Sequence, residues 1–226
     1  WAQPRAILKE TTMNKKILAS ALAAGLIAVS SGANATVLNF DTLTSDVINP
    51  FSSYGGMLWS NFFALNPDSS TTYSGSGYST GRVSTPNVAF NGDGNSASVR
   101  KSDGSNFLFN GGYFSAAWRS GLEVTLEGLV NNVVTNSTKI TVGVPTAAAG
   151  PTLFDFDWNI DELRITSTGG QKASSDLAGD GTQFVLDNFA FDEPANGNNV
   201  PEPGALALLG IGLAGLGLTR RRRAAA

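Results

Sequence analysis

The 226-residue sequence contains neither cysteine nor histidine. Without cysteine no disulfide can staple the fold, and no thiolate can serve as a nucleophile. Without histidine there is no imidazole base, no Ser-His-Asp triad and no histidine-ligated zinc site. Charge is also sparse, at 15% Asp, Glu, Lys and Arg. Residues 36–203 hold 17 acidic side chains against seven basic ones. The whole chain carries −3, of which residues 1–35 supply +3 and residues 204–226 supply +4, leaving about −10 for the middle. Phosphate binding needs a basic footprint, so no nucleic-acid partner is expected. Acidity instead suits solubility and hard-cation binding. Helical periodicity is the last absence. No window of ten or more residues in the middle segment repeats its apolar side chains with a helical period, and no internal repeat is visible.

What is present is most pointed at the two ends. The chain closes on Val200-Pro201-Glu202-Pro203-Gly204, an uncharged apolar run from Ala205 to Leu218, then Thr219 and Arg220, Arg221, Arg222 and Arg223. That run falls short of the roughly 20 residues that span a hydrocarbon core comfortably, and an arginine block can snorkel to the cytoplasmic headgroups. The prolines hold the preceding backbone extended and outside any helix. At the other end, Met13-Asn14-Lys15-Lys16 is a positive n-region, Ile17 to Val29 is a short apolar run, and Ala33-Asn34-Ala35 is a small-x-small cleavage site. Cleavage after Ala35 makes Thr36 the mature N-terminus. Residues 1–12 precede that methionine without periodic pattern and are expected to be a mis-called extension.

Residues 200–223, with tripeptide, apolar run and arginine cluster in that order, resemble the PEP-CTERM sorting signal. The resemblance implies processing by an exosortase, a membrane transpeptidase of biofilm-forming Gram-negative bacteria. The expected partners are then the Sec export machinery and an exosortase. The membrane is met only through the C-terminal helix before processing, and the destination is the cell surface or extracellular matrix.

Between the signals, residues 36–194 are expected to form one β domain, joined by a 195–199 linker to the sorting tail. Period-two runs recur at 36–40, 57–63, 106–109, 122–126, 138–144, 152–158, 162–166 and 183–191, rich in β-branched and aromatic residues. Turn chemistry separates them at Gly55-Gly56, 91–95, Asp103-Gly104, Asn110-Gly111-Gly112, Gly169-Gly170 and 179–181. Segments 64–82 and 167–182 read as long surface loops. The fold expected is all-β: an antiparallel β-sandwich or jelly roll, flanked by a signal peptide and a short transmembrane sorting helix. Its core is expected to include Phe40, Leu58, Phe109, Leu126, Phe154, Phe156, Leu186 and Phe189.

One acidic residue stands out. Asp187 lies inside the apolar run Phe184-Val185-Leu186-Asp187-Asn188-Phe189, where an unpaired carboxylate costs several kcal/mol. With Asn39-Phe40-Asp41 closing the first strand, the arrangement resembles the galactose-binding-like jelly rolls of carbohydrate-binding modules. That resemblance implies adjacent first and last strands and a structural calcium held by Asp187, shared with Asp41 or a nearby carbonyl. The alternative is hydrogen bonding of Asp187 to amides of a neighbouring loop. The resemblance and the acidic balance favour calcium.

Remaining motifs carry less. Asp155 and Asp157 lie two apart and face the same way, as a solvated strand face would; a glycoside hydrolase would draw its acid and base from these two, Asp161 and Glu162. Asn91-Gly92-Asp93-Gly94-Asn95 reads as a turn lacking the later acid of an EF-hand. Gly210-Ile211-Gly212-Leu213-Ala214-Gly215 fits a dinucleotide fingerprint but lacks its βαβ context. Trp59, Trp118 and Trp158 are expected in the core, whereas Tyr73 and Tyr78, in a Ser/Gly/Thr-rich loop, are the expected exposed pair for carbohydrate contact. The function expected is therefore a non-catalytic, exported surface or matrix protein, structural or polysaccharide-associated. A carbohydrate-active enzyme using paired carboxylates is the alternative.

Overall fold

Strict alternation along Leu122–Leu129 puts Leu122, Val124 and Leu126 on one side and Glu123, Thr125 and Glu127 on the other, the pattern of a half-buried strand. The computed structural model describes residues 36–43, 48–146 and 148–192. They lie in one of the two units into which the chain divides, Ala33–Asn196. The expected signal peptide at 13–35, the expected 195–199 linker and the sorting tail lie outside the described residues.

Every strand pairing among the described residues is antiparallel. One layer runs β8 (Val133–Val142), β7 (Arg119–Val130), β10 (Glu162–Lys172), β5 (Ala97–Lys101) and β3 (Met57–Leu65), with β2 (Asn49–Tyr54) beside β3. The second runs β4 (Val88–Asn91), β11 (Phe184–Phe191), β6 (Phe107–Ala116) and β9 (Thr152–Ile160), with β1 (Thr36–Leu38) beside β11. Strand β3 belongs to both layers. Its first half pairs with β5 and its second half with β4. Asn61 sits between the halves at positive φ, a left-handed conformation that asparagine tolerates better than most residues. Its amide donates to Gly92 O at 3.2 Å and Ser96 O at 3.1 Å, closing the gap where β4 and β5 part.

The inner faces of the two layers merge into a single apolar cluster. Met57, Trp59, Val99, Leu126, Leu163 and Ile165 come from the first, and Phe109, Phe114, Phe184, Leu186 and Phe189 from the second. Each such side chain contributes about 1.5–3 kcal/mol when fully buried, and nothing in the chain substitutes for that burial as a covalent staple. The fold is thus an antiparallel β-sandwich. Its first and last strands are neighbours, with Thr36 opposite Phe191 and Leu38 opposite Phe189.

The structure corrects several expectations. Leu58 is 47% exposed because it falls on the outward phase of β3, between inward Met57 and Trp59. Phe154 and Phe156 are only half-buried, because β9 is an edge strand paired on one side with β6. Asn110-Gly111-Gly112 is not a turn but an irregular stretch inside β6, where Gly111, at positive φ, lets the backbone of Phe154 approach closely. Gly169-Gly170 likewise lies within β10, which continues to Lys172 and shortens the expected 167–182 loop. Strands β2, β4 and β5 fall outside the expected runs. Pro50 and a pair of serines hide β2, and β4 and β5 are too short to show a period.

Candidate functional site

Segment 66–87 leaves β3, makes two 3-10 turns (Pro67–Ser69 and Thr71–Tyr73) and a four-residue helix, α1 (Gly77–Thr80), then returns to β4. It lies over the outer face of the β4–β11–β6 layer. There Tyr78 joins Leu65, Val88, Phe90, Trp118 and Val185 in a second apolar cluster. Tyr78 is buried and packs edge-on against Phe90, Trp118 and Tyr73. The expectation of Tyr73 and Tyr78 as exposed sugar-stacking rings is therefore corrected: Tyr78 is covered, and Tyr73 is half-buried against it. Burial, followed by the neighbouring Tyr73, pushes the Tyr78 phenol far up, opposed by a hydrogen bond with Trp118.

The same segment explains Asp187. Its side chain is fully buried on the outward phase of β11, under residues 83–84. One oxygen accepts from the Val83 amide at 2.7 Å and the Ser84 amide at 2.9 Å. The other accepts from the Ser84 hydroxyl at 3.2 Å and the Asn188 amide at 2.7 Å. Burial raises the carboxyl above its ordinary value, and these donors partly oppose it. Asp41 acts on the far end of the segment, accepting from the Asn87 amide at 3.0 Å. The Asn87 side chain donates to Phe40 O at 3.0 Å and Leu43 O at 2.7 Å. Arg82 holds Asp68 at 2.8 Å.

This donor set does not fit calcium. Three amide N–H groups already point at the Asp187 oxygens, where a cation would need those lone pairs and would face their partial positive charge. Among the described residues no three acidic side chains converge on a point. Asp187 thus has the amide partners that the second of its two sequence readings required.

The four carboxylates of the enzyme alternative stand in three different settings. Asp155 and Asp157 are exposed on the outward phase of β9, and Asp157 accepts from the Asn110 amide at 3.3 Å. Asp161 caps the Asn131 amide at the tip of the β7–β8 hairpin. Glu162 is buried within an ion-pair ladder on the outer face of the other layer. Its oxygens lie 3.4 Å from Arg100 Nε and 3.8 Å from Arg164 Nη2, and Arg164 also reaches Glu127 at 3.5 Å. Residues 91–95 form a 3-10 turn in which Asn91 bonds to Asn95 O, the Ser167 hydroxyl and the Phe184 amide.

The chemistry-bearing residues that sequence reasoning missed are Arg100, Arg164 and Asn87. Arg100 and Arg164 share their strands' outward phase with serine and threonine; Arg164 lies two residues from Glu162 on β10, and only the register of β5 against β10 brings Arg100 opposite that acid. Beside Arg100, Leu58, Trp59, Ser60 and Ser98 line a shallow depression of about 280 Å³.

The remaining decisive feature lies in the sequence beyond the domain, at residues 199–223, which match the PEP-CTERM protein-sorting motif. The chain carries a PEP-CTERM sorting signal. Such a signal marks an exported protein. Pro201, Glu202, Pro203 and Arg220 to Arg223 of that motif, and Ala33 and Ala35 of the expected cleavage site, lie outside the described residues, whereas Thr36 opens β1. No curated protein matches the chain. Among solved structures, a DUF4465 family protein from Bacteroides ovatus is similar, with 13% identity, a TM-score of 0.38, and coverage of 70% of this chain and 83% of that one. TmCBM61 in complex with beta-1,4-galactotriose is another, with 11% identity, a TM-score of 0.36, and coverage of 63% and 92%. Among the described residues no helix is long and apolar enough to cross a membrane.

Proposed function

We propose that this chain is the precursor of a non-catalytic surface or matrix protein, released from its leader at Thr36, cut by an exosortase near Pro201-Glu202-Pro203 and associated with extracellular polysaccharide. The observation that carries the reading is the sorting motif at 199–223 at the end of a chain whose described part is a sandwich. The disposition of the charged side chains supports a binding or structural role. Six of the seven basic side chains in residues 36–192 are taken up in ion pairs within the domain. The acids that an enzyme would need are an exposed pair on one strand, a hairpin cap and a buried ion-pair member, not two carboxyls set across a cleft.

Mass spectrometry of the mature protein from a host with an active exosortase tests this. The expected product begins at Thr36 and ends close to Pro201-Glu202-Pro203, and it cofractionates with matrix polysaccharide. A mature chain retaining Arg220 to Arg223 would overturn the processing. Glycoside cleavage by the purified protein would overturn the non-catalytic role.

A further inference from the structure

The outer face of the β8–β7–β10–β5–β3 layer is balanced in charge although the domain is strongly acidic. It carries Lys139 against Glu123 at 3.0 Å, and the ladder Arg100–Glu162–Arg164–Glu127. The ladder ends on a cation. Glu162 approaches Arg100 from the Nε side at 3.4 Å, and among the described residues Arg100 forms an ion pair with no second acid. The Arg100 side chain is 59% exposed, whereas that of Glu162 is 8% exposed and fixed from its other side by Arg164. A buried carboxylate shared by two arginines thus sits beside a guanidinium side chain that is itself largely exposed. Arg100 lines the 280 Å³ depression, where Leu58 lies directly opposite it in register and Ser60 opposite Ser98.

We propose that this depression binds a carboxylate-bearing sugar residue, a uronate of an acidic polysaccharide. The Arg100 fork receives the carboxylate, Ser60 and Ser98 bond ring hydroxyls, and Leu58 packs against the C–H face. A guanidinium matches a carboxylate through two parallel N–H bonds, which a lone ammonium cannot reproduce. The acidic remainder of the domain does not preclude this. Charges beyond about 8 Å are largely screened at physiological salt, and the next member of the ladder beyond the Arg100–Glu162 pair is a second arginine, Arg164. The inference rests on the polysaccharide association proposed above and names its ligand class.

The test uses the processed protein and affinity electrophoresis in gels containing polygalacturonate, with dextran as the neutral probe. The expected result is retardation by polygalacturonate alone, weakened at least tenfold by Arg100→Gln and not rescued by Arg100→Lys. Leu58→Glu, which places a competing carboxylate opposite an intact Arg100, should abolish it as well. Lys172→Gln, at the far end of β10, should change nothing. Equal retardation by dextran, or Arg100→Gln and Leu58→Glu proteins that bind like the wild type, would overturn the site while leaving matrix association standing. Absence of the wild-type protein from the matrix fraction would instead overturn the association itself.

Discussion

Asp187 shows how far a single residue can be read before a structure exists. Its place between Leu186 and Phe189 requires compensation, and hydrogen bonding from loop amides is one of two readings. Which loop supplies them is illegible, because Val83 and Ser84 lie more than 100 positions away and nothing in their sequence marks them as donors. Replacing Asp187 with Ala leaves the Val83, Ser84 and Asn188 amides without acceptors in a buried site, and should cost about 3 kcal/mol by urea denaturation. Chelator should leave the wild-type midpoint unchanged; a calcium-dependent midpoint would restore the metal reading. Burial raises the folded carboxyl above 3.8, so this group's contribution is complete below that pH and is lost as pH rises through the raised value. The stability of the wild type relative to Asp187→Asn should therefore fall as pH rises through the acid range, measurable by denaturation of both proteins at a series of pH values. Buried ionisable residues are legible as problems in a sequence, and their solutions are tertiary.

At the scale of elements, alternation locates the long strands, and tertiary context decides the rest. The β7–β8 hairpin turns on Asn131 and Asn132, both in left-handed conformation at φ 52° and 63°. That is the type I′ geometry that suits strand twist, for which Asn-Gly is the preferred pair. Asn132→Gly should stabilise the domain by about 0.5–1 kcal/mol, read as a rise in melting temperature. An unchanged or lowered midpoint would mean that the Asn132 side chain contributes more than its strain costs. The expected surface loop 64–82 is misread in part. Residues 68–72, 74 and 75 are exposed, as its serine, threonine and glycine content suggests, yet Ser76, Gly77, Tyr78 and Gly81 are buried. A Cβ on Gly77 would collide with Ala116 O, so Gly77→Ala must lift α1 from the β6 backbone. Hydrogen exchange should then accelerate across 73–84 while β7 and β10 stay protected. Uniform acceleration across all strands would show instead that this segment and the sandwich unfold as one unit. Composition reports solubility of a segment taken alone, and here burial comes from the two tyrosines.

Taken whole, the domain sorts its connections by length. The two-residue links at Gly55-Gly56 and Asn131-Asn132 and the single Asp161 sit at the end of the sheets where Thr36 enters and Phe191 leaves. Residues 66–87, 143–151 and 173–183 connect strands at the opposite end. The domain therefore keeps its two ends together, beside the segments that precede Thr36 and lead to the sorting motif, and its long loops away from them. The absence of native cysteine makes the terminal pairing directly testable, since any disulfide formed in a double variant is the engineered one. Val37 and Ala190 are opposite in register on β1 and β11. Val37→Cys with Ala190→Cys, exported to an oxidising compartment, should cross-link without added oxidant, with no thiol left to alkylate. Closing so long a loop should then stabilise the domain by up to about 4–5 kcal/mol over its reduced form. The control pair Val37→Cys with Val133→Cys, which are not register partners, should stay reduced. Free thiols in the first pair, or cross-linking in both, would mean that the terminal strands are not held in this register, and the shared exit of the two termini would fall with it.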